Sequence, residues 1–226
     1  MDAILGTAPG RTEIVRARAG DAPVRHVGLA LDPWPGLRAW IAAESLDVVL
    51  LHRHWRLTLD VWPPQVGVLA NHDPFDRRFG FGDPPELLAV LDVTADATLG
   101  ERDGFPLGVI GTGPARTPAA LRAVLVALFG AVEAELAPPR ASDSAPDLAR
   151  LAVARAMTPA LVRHAAALGA HGYVTGQLRQ PARDAVRETG LHVFAVGHHR
   201  AERWGLGLLA DALRAAWPGL VVRTPP

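Results

Sequence analysis

Two segments far apart in the chain present the same order of groups. Val66-Gly-Val-Leu-Ala-Asn-His72-Asp-Pro-Phe-Asp76 and His192-Val-Phe-Ala-Val-Gly-His198-His-Arg-Ala-Glu202 each run from an apolar stretch into a histidine that is followed four residues later by a carboxylate. Glycines and a Leu-Leu pair come next in both, from Gly82 to Leu88 and from Gly205 to Leu209. Neutral imidazole nitrogen and carboxylate oxygen suit zinc, manganese or iron, and at positions i and i+4 of a helix both point the same way. His52 and His54 end another apolar run, and on a strand of period two they share one face. The six candidates, His52, His54, His72, Asp76, His198 and Glu202, suit two divalent metal ions.

With nine histidines in the chain, close pairs arise by chance, and a single His-x-x-x-Asp is commonly a surface or capping arrangement. The doubling of the motif at equivalent strand ends tips the reading toward metal. His26, His164 and His171 lack such companions and read as structural; His192 lies inside a strand and reads as core or edge, while His199 is expected to point away from His198. Two metals about 3.5–4 Å apart bring a bridging water toward neutral pKa and favour hydrolysis. Asp76 and Glu202 are then candidates to bridge or orient, and His54 or His199 to move a proton. Arg77, Arg78, Arg200 and Arg203 flank the motifs, and Arg77 and Arg203 are candidates for a bidentate grip on phosphate, although solvated surface arginines explain them equally well.

Composition narrows the chemistry by exclusion. Every basic residue is arginine and cysteine is absent, which removes a P-loop lysine, a Schiff base, a thiol nucleophile and thiolate-bound zinc or iron-sulfur sites. Formal charges cancel to +0, so no global attraction to nucleic acid or anionic membrane is expected. The N-terminal segment lacks a basic region followed by a long apolar run, and the apolar stretch from Ala123 to Val132 is too short to span a bilayer. A cytoplasmic protein acting on a small molecule is expected.

The positioning elements read as alternating strands and helices. Val24 to Asp32 predicts a strand ended by Pro33 and Pro35, Leu37 to about Ser45 a helix, and Asp47 to Leu51 a buried strand. Residues 66 to 70 predict a strand and Pro85 to Leu91 the start of a helix. The order recurs with Leu148 to Arg155 as strand, Pro159 to Leu168 as helix, Gly172 to Thr175 and His192 to Val196 as strands, and Leu206 to Ala216 as helix. An apolar helix near 117 to 130 and a Pro/Ala/Ser-rich linker from Ala137 to Pro146 fall between the copies. The expected architecture is α/β: two similar lobes with mixed sheets flanked by helices, related by an internal pseudo-repeat, with a metal cleft between them. Lobe one covers about 24–92, a connecting segment about 93–147 and lobe two about 148–226.

The ordered set Asp47-Val-Val-Leu-Leu-His52, Ala70-Asn-His72-Asp-Pro-Phe-Asp76, Tyr173-Val-Thr-Gly-Gln177 and Gly197-His198-His-Arg-Ala-Glu202 resembles the Nif-three-like dinuclear metal-centre family, whose members carry the name GTP cyclohydrolase 1 type 2. The resemblance runs from about Val24 to the last residues. It implies two α/β lobes around a two-metal site, assembly as a homo-oligomer, often a toroidal hexamer, and metal-ligand positions at His52, His72, Asp76, His198 and Glu202. The family commonly has adjacent histidines followed by proline, whereas this chain reads His52-Arg53-His54-Trp55. Either His54 takes the sixth position through a shifted backbone, or Arg53 has replaced a ligand and one metal is weakened or lost, since a guanidinium does not coordinate. Gln177 and Pro181 stand where the family usually has an acid and a histidine, which puts the cyclohydrolase activity in doubt and raises a non-catalytic metal-binding or regulatory interaction protein as the alternative.

Overall fold

The computed structural model describes residues 1–226 except 7–11, 61, 83, 139–146 and 226. In chain order the elements are β1 (Glu13–Arg16), β2 (His26–Ala30), α1 (Leu37–Ala43), β3 (Val48–Leu51), β4 (Gly67–Ala70), α2 (Asp73–Phe79) and α3 (Pro85–Leu91). Next come β5 (Thr94–Thr98), β6 (Glu101–Arg102), β7 (Phe105–Pro106), β8 (Gly108–Thr112), α4 (Pro118–Phe129), β9 (Ala134–Leu136), β10 (Arg150–Ala154), α5 (Pro159–Ala167) and β11 (Gly172–Thr175). A short 3-10 turn (Gln180–Ala182), α6 (Arg183–Thr189), β12 (His192–Ala195), α7 (His198–Ala216) and β13 (Val221–Arg223) complete the chain. Two compact units result, Met1–Phe79 with Arg203–Pro226, and Gly80–Glu202.

The first unit is built on a sheet of order β1-β4-β3-β2-β13. Strands β13, β2, β3 and β4 are parallel, and β1 closes the edge antiparallel to β4. Both faces are covered, which is why Val48–Leu51 is a continuous apolar run rather than an alternating one. Leu29, Leu50, Phe75, Phe79, Leu206 and Leu209 pack together in one cluster, and Ile41, Val49, Leu51, Trp62 and Val68 in another. Gly205 lets α7 approach α2: a Cβ there would stand 2.8 Å from the Phe79 carbonyl oxygen and 3.0 Å from Phe75 Cζ.

The second unit carries a sheet of order β5-β8-β10-β11-β12-β9, with β10, β11 and β12 parallel and β8, β5 and β9 added antiparallel. Ala152, Tyr173 and Val193 meet Val162, Ala165 and Val186 in its core. Thr158 starts α5 with its hydroxyl accepting the Leu161 N–H, as an N-cap threonine should.

The expected class, α/β with mixed sheets and flanking helices, is what the chain forms. The boundaries differ. Residues 93–112, expected within a connector, supply β5 and β8, two of the six strands of the second sheet. Conversely, the end of the chain is expected wholly in lobe two, but β13 pairs in parallel with β2 of the first unit. Such long-range pairings leave no local periodicity to read. The expected linker from Ala137 to Pro146 lies mostly outside the described residues. Among the described residues, no helix is long and apolar enough to cross a membrane.

Candidate metal centre

The register that aligns Leu51 with Ala70 brings the residues following β3 and β4 out at the same carboxyl edge of the first sheet. His52 is fully buried there, its backbone N–H donating to the Ala30 carbonyl at 3.0 Å. Its ring stacks on His72, with centroids 4.5 Å apart, and lies 4.8 Å from the Phe75 ring. His72 immediately precedes α2 and Asp76 lies within that helix, its N–H donating to the His72 carbonyl at 3.0 Å. Asn71, itself buried, sets the helix start by accepting the Phe75 N–H on its side-chain oxygen at 3.1 Å while its amide donates to Thr12 Oγ1 at 3.2 Å.

His52, His72 and Asp76 each offer one donor atom, and the three atoms lie within 4.8 Å of one another. Donors bound to one tetrahedral zinc ion at about 2.0–2.2 Å lie about 3.3–3.6 Å apart, so the set would close inward by up to about 1.5 Å to share one ion. The hydrogen-bond partners of the two rings support the fit. His52 Nδ1 is 3.2 Å from the Asn71 carbonyl oxygen, and since a carbonyl only accepts, Nδ1 carries the proton. The lone pair of a neutral His52 then sits on Nε2, 3.4 Å from Asp76 Oδ1. A lone pair facing a carboxylate is stable only with a cation or a proton between them. His72 Nδ1 lies 3.1 Å from Asp73 Oδ1, so donation to that carboxylate leaves Nε2 as its ligating atom. A carbonyl or carboxylate behind each ligating imidazole is the arrangement that fixes tautomer and ring orientation in metal sites.

The neighbours of His52 are turned elsewhere. Arg53 donates two hydrogen bonds to Asp32, Nε to Oδ1 at 2.7 Å and Nη2 to Oδ2 at 2.6 Å. His54 Nε2 lies 3.4 Å from Glu13 Oε1 on β1, and His54 is not one of the three grouped donors. The period-two argument that paired it with His52 does not apply because β3 ends at Leu51 and a turn follows, with the Leu57 N–H donating to the His54 carbonyl at 2.8 Å.

In the second unit, Gly197 turns the chain at φ 101° from β12 into α7. His198 is the first helical residue and its Nε2 is 3.1 Å from Glu202 Oε1, the geometry expected for i and i+4. Glu202 is buried and His198 exposed. Thr175, at the end of β11, is buried, while Gln177 and Pro181 are exposed. Of the two arginines considered for phosphate, Arg77 is half-buried on α2 and Arg203 exposed on α7. His192 is buried with Nε2 2.6 Å from Glu135 Oε1, a structural pair as its place in a strand implied.

Asn71 and Asp73, the orienting partners, lie outside the His-x-x-x-carboxylate pattern. An Asn just before a helix start is a capping signal, and here it also delivers the carbonyl that fixes His52.

Residues 52–224 match the family model Duf34/NIF3 (NGG1p interacting factor 3). The chain belongs to this family. Relatives named GTP cyclohydrolase 1 type 2 homolog are 27% identical over 149 residues in Pasteurella multocida and 29% identical over 151 residues in Escherichia coli K12, each alignment covering 66% of this chain. Those alignments span 57% of the relatives' own length. Among solved structures, protein ybgI, described as of unknown function, superposes with a TM-score of 0.74 at 19% identity, covering 99% of this chain and 94% of that one. TTHA1606 from Thermus thermophilus gives 0.68 at 20% identity, with 99% and 93% coverage, and reduced HcgD from Methanocaldococcus jannaschii 0.67 at 18%, with 96% and 90%. At these identities the structures establish the NIF3 fold, in which the three-donor group of the first unit is an element of the chain's own geometry.

Proposed function

We propose that this NIF3 protein is a metal-dependent hydrolase acting on a small, nucleotide-like substrate. The observation that carries the proposal is the His52, His72 and Asp76 group, with the His52 lone pair fixed toward Asp76 by the Asn71 carbonyl. A divalent ion held there, zinc, manganese or iron, supplies a water of lowered pKa and stabilises negative charge on the attacked group. His52 and His72 act as neutral ligands and Asp76 as the anionic one. The resemblance adds His198 and Glu202 as ligands, a second ion, a cleft formed by repeated lobes, and assembly as a cytoplasmic homo-oligomer, in the family's hexameric form; these are parts of the proposal. The nucleotide-like substrate follows the cyclohydrolase names of the relatives, and Arg77 and Arg203 are proposed to grip its phosphate.

The test is binding and turnover of GTP and related nucleotides by metal-loaded protein, beside an Arg77→Ala/Arg203→Ala double variant. The proposal expects nucleotide binding that weakens at least tenfold in the variant with metal content unchanged. Metal without any nucleotide binding or hydrolysis would favour the second reading, a non-catalytic metal-binding or regulatory protein. That reading is supported by Arg53, which is engaged with Asp32 beside His52.

A further inference from the structure

We propose that Trp55 is the platform on which the planar base of the substrate stacks, so that the base lies beside the candidate ligand His72. The inference rests on the nucleotide-hydrolase reading given above. The Trp55 ring lies 5.3 Å from that of His72, centroid to centroid, at an interplanar angle of 54°. His72 stacks in turn on His52. The rings thus run outward from buried His52 through half-buried His72 to Trp55, which is 62% exposed. Trp62, further along the same loop, shows the ordinary placement of the residue type: it is 5% exposed, with its indole N–H donating to the Val66 carbonyl at 3.0 Å.

The exposure of Trp55 is held by its surroundings. The Leu57 N–H donates to the His54 carbonyl at 2.8 Å, closing a turn with Trp55 and Arg56 at its centre. The chain is tied down on both sides of that turn. Arg53 donates to both carboxylate oxygens of Asp32, and Leu57 packs against the core cluster that contains Leu51, Trp62 and Val68. His54, which opens the turn, has its Nε2 3.4 Å from Glu13 Oε1 on β1. A side chain at such a position gains little from burial, so an indole there contributes little to folding. Its exposed face does offer a flat ligand a rigid area whose ordering cost the fold has already met. Every nucleobase has a π-face, so stacking holds a base without reading its edge, and the larger purines have more face to stack. Trp55 is thus a substrate-binding residue that sets affinity for the base and leaves the metal donors as they are.

The test is calorimetric binding of GTP, with inorganic tripolyphosphate as the base-free control, to metal-loaded wild type, Trp55→Phe, Trp55→Leu and Trp55→Ala. Circular dichroism confirms folding, and elemental analysis gives the metal content. GTP is expected to bind Trp55→Ala and Trp55→Leu about tenfold or more weakly than wild type, and Trp55→Phe, which keeps a ring, within about threefold. Tripolyphosphate affinity and metal content are expected to stay unchanged. The loss in Trp55→Leu separates stacking from apolar bulk. Equal GTP affinity in wild type and Trp55→Ala, or an equal loss of GTP and tripolyphosphate, overturns the inference while the nucleotide reading stands. Loss of metal from a folded Trp55→Ala, or a change in its oligomeric state by native mass spectrometry, also overturns it, by showing that the ring serves His72 or a protein contact. No GTP binding by metal-loaded wild type overturns the nucleotide reading and the inference together.

Discussion

Two glycines in the same helix carry opposite predictions. Gly205 and Gly207 both lie within α7, where alanine is intrinsically better than glycine by about 0.8–1 kcal/mol. A Cβ at Gly207 meets nothing within 4 Å, so Gly207→Ala should realise most of that gain. At Gly205 the new methyl would stand 2.8 Å from the Phe79 carbonyl oxygen, 3.0 Å from Phe75 Cζ and 3.4 Å from Phe79 Cβ. The first of these is backbone and cannot rotate away, so α7 and α2 must separate by several tenths of an ångström. Overpacking of this kind costs about 1–3 kcal/mol, and after subtracting the helix gain Gly205→Ala should destabilise by up to about 2 kcal/mol. At about 2–4 °C per kcal/mol for a chain of this size, that is a fall in Tm of up to about 8 °C, against a rise of a few degrees for Gly207→Ala. Urea and thermal unfolding of the two variants beside wild type read both. Because α2 carries Phe75 and Asp76, Gly205→Ala should also weaken metal binding, whereas Gly207→Ala should not. A Gly205→Ala protein at least as stable as Gly207→Ala would refute the close-approach argument.

Two further predictions concern single ionisable groups. Burial raises the Asp47 carboxyl, but the N–H groups of Arg25 and His26, at 2.7 and 2.9 Å, and the charges of Arg18 and His26 outweigh it and hold the group below the usual carboxylate range. A depressed folded-state pKa gives stability that is complete above the unfolded value, about 3.9, and is lost as pH falls through the lower folded one. Asp47→Asn should therefore cost about 1–2 kcal/mol near neutral pH and progressively less below about pH 4, and an equal deficit in urea unfolding at both pH values would contradict this. Tyr173 is the chain's single tyrosine, buried, with its hydroxyl donating to the Ala156 carbonyl at 2.6 Å, and burial pushes its phenol well above the usual range. Phenolate absorbance should stay absent through about pH 10, where an exposed tyrosine half-ionises, and should appear only together with alkaline unfolding; smooth titration of folded protein near that pH would show the phenol to be accessible.

The parts of the fold that are legible in the sequence are those in which local pattern and final environment agree. Val48–Leu51 and His192–Ala195 are buried on both faces and read as short apolar runs. Pro159 after Thr158 marks the start of α5. β5 is illegible because it is mostly exposed, Thr-Ala-Asp-Ala-Thr, and owes its extended form to pairing with β8. β13 is three residues long and exists through its parallel pairing with β2, nearly the whole chain away. The helix expected from Leu206 begins at His198, since His-His-Arg-Ala-Glu has no apolar repeat to announce its first turns.

In the candidate site, the spacing of His72 and Asp76 is sufficient because helix geometry alone brings i and i+4 together, and the same holds for His198 and Glu202. His52 joins the first pair through strand register, a tertiary property that its position at the end of an apolar run foreshadows. His54 does not, because alternation of faces presumes a strand that ends three residues earlier. The role of Asn71 combines a carbonyl and a side chain acting on different partners, which residue type alone does not reveal.

The central claim, that His52, His72 and Asp76 hold a metal ion, is tested most directly by elemental analysis of the protein purified without an affinity tag, beside His72→Ala and Asp76→Asn variants shown by circular dichroism to be folded. The account predicts bound zinc, manganese or iron in the wild type, and its loss in both variants. Metal-free wild type that takes up no ion on titration, or variants that retain the full wild-type content, would contradict it.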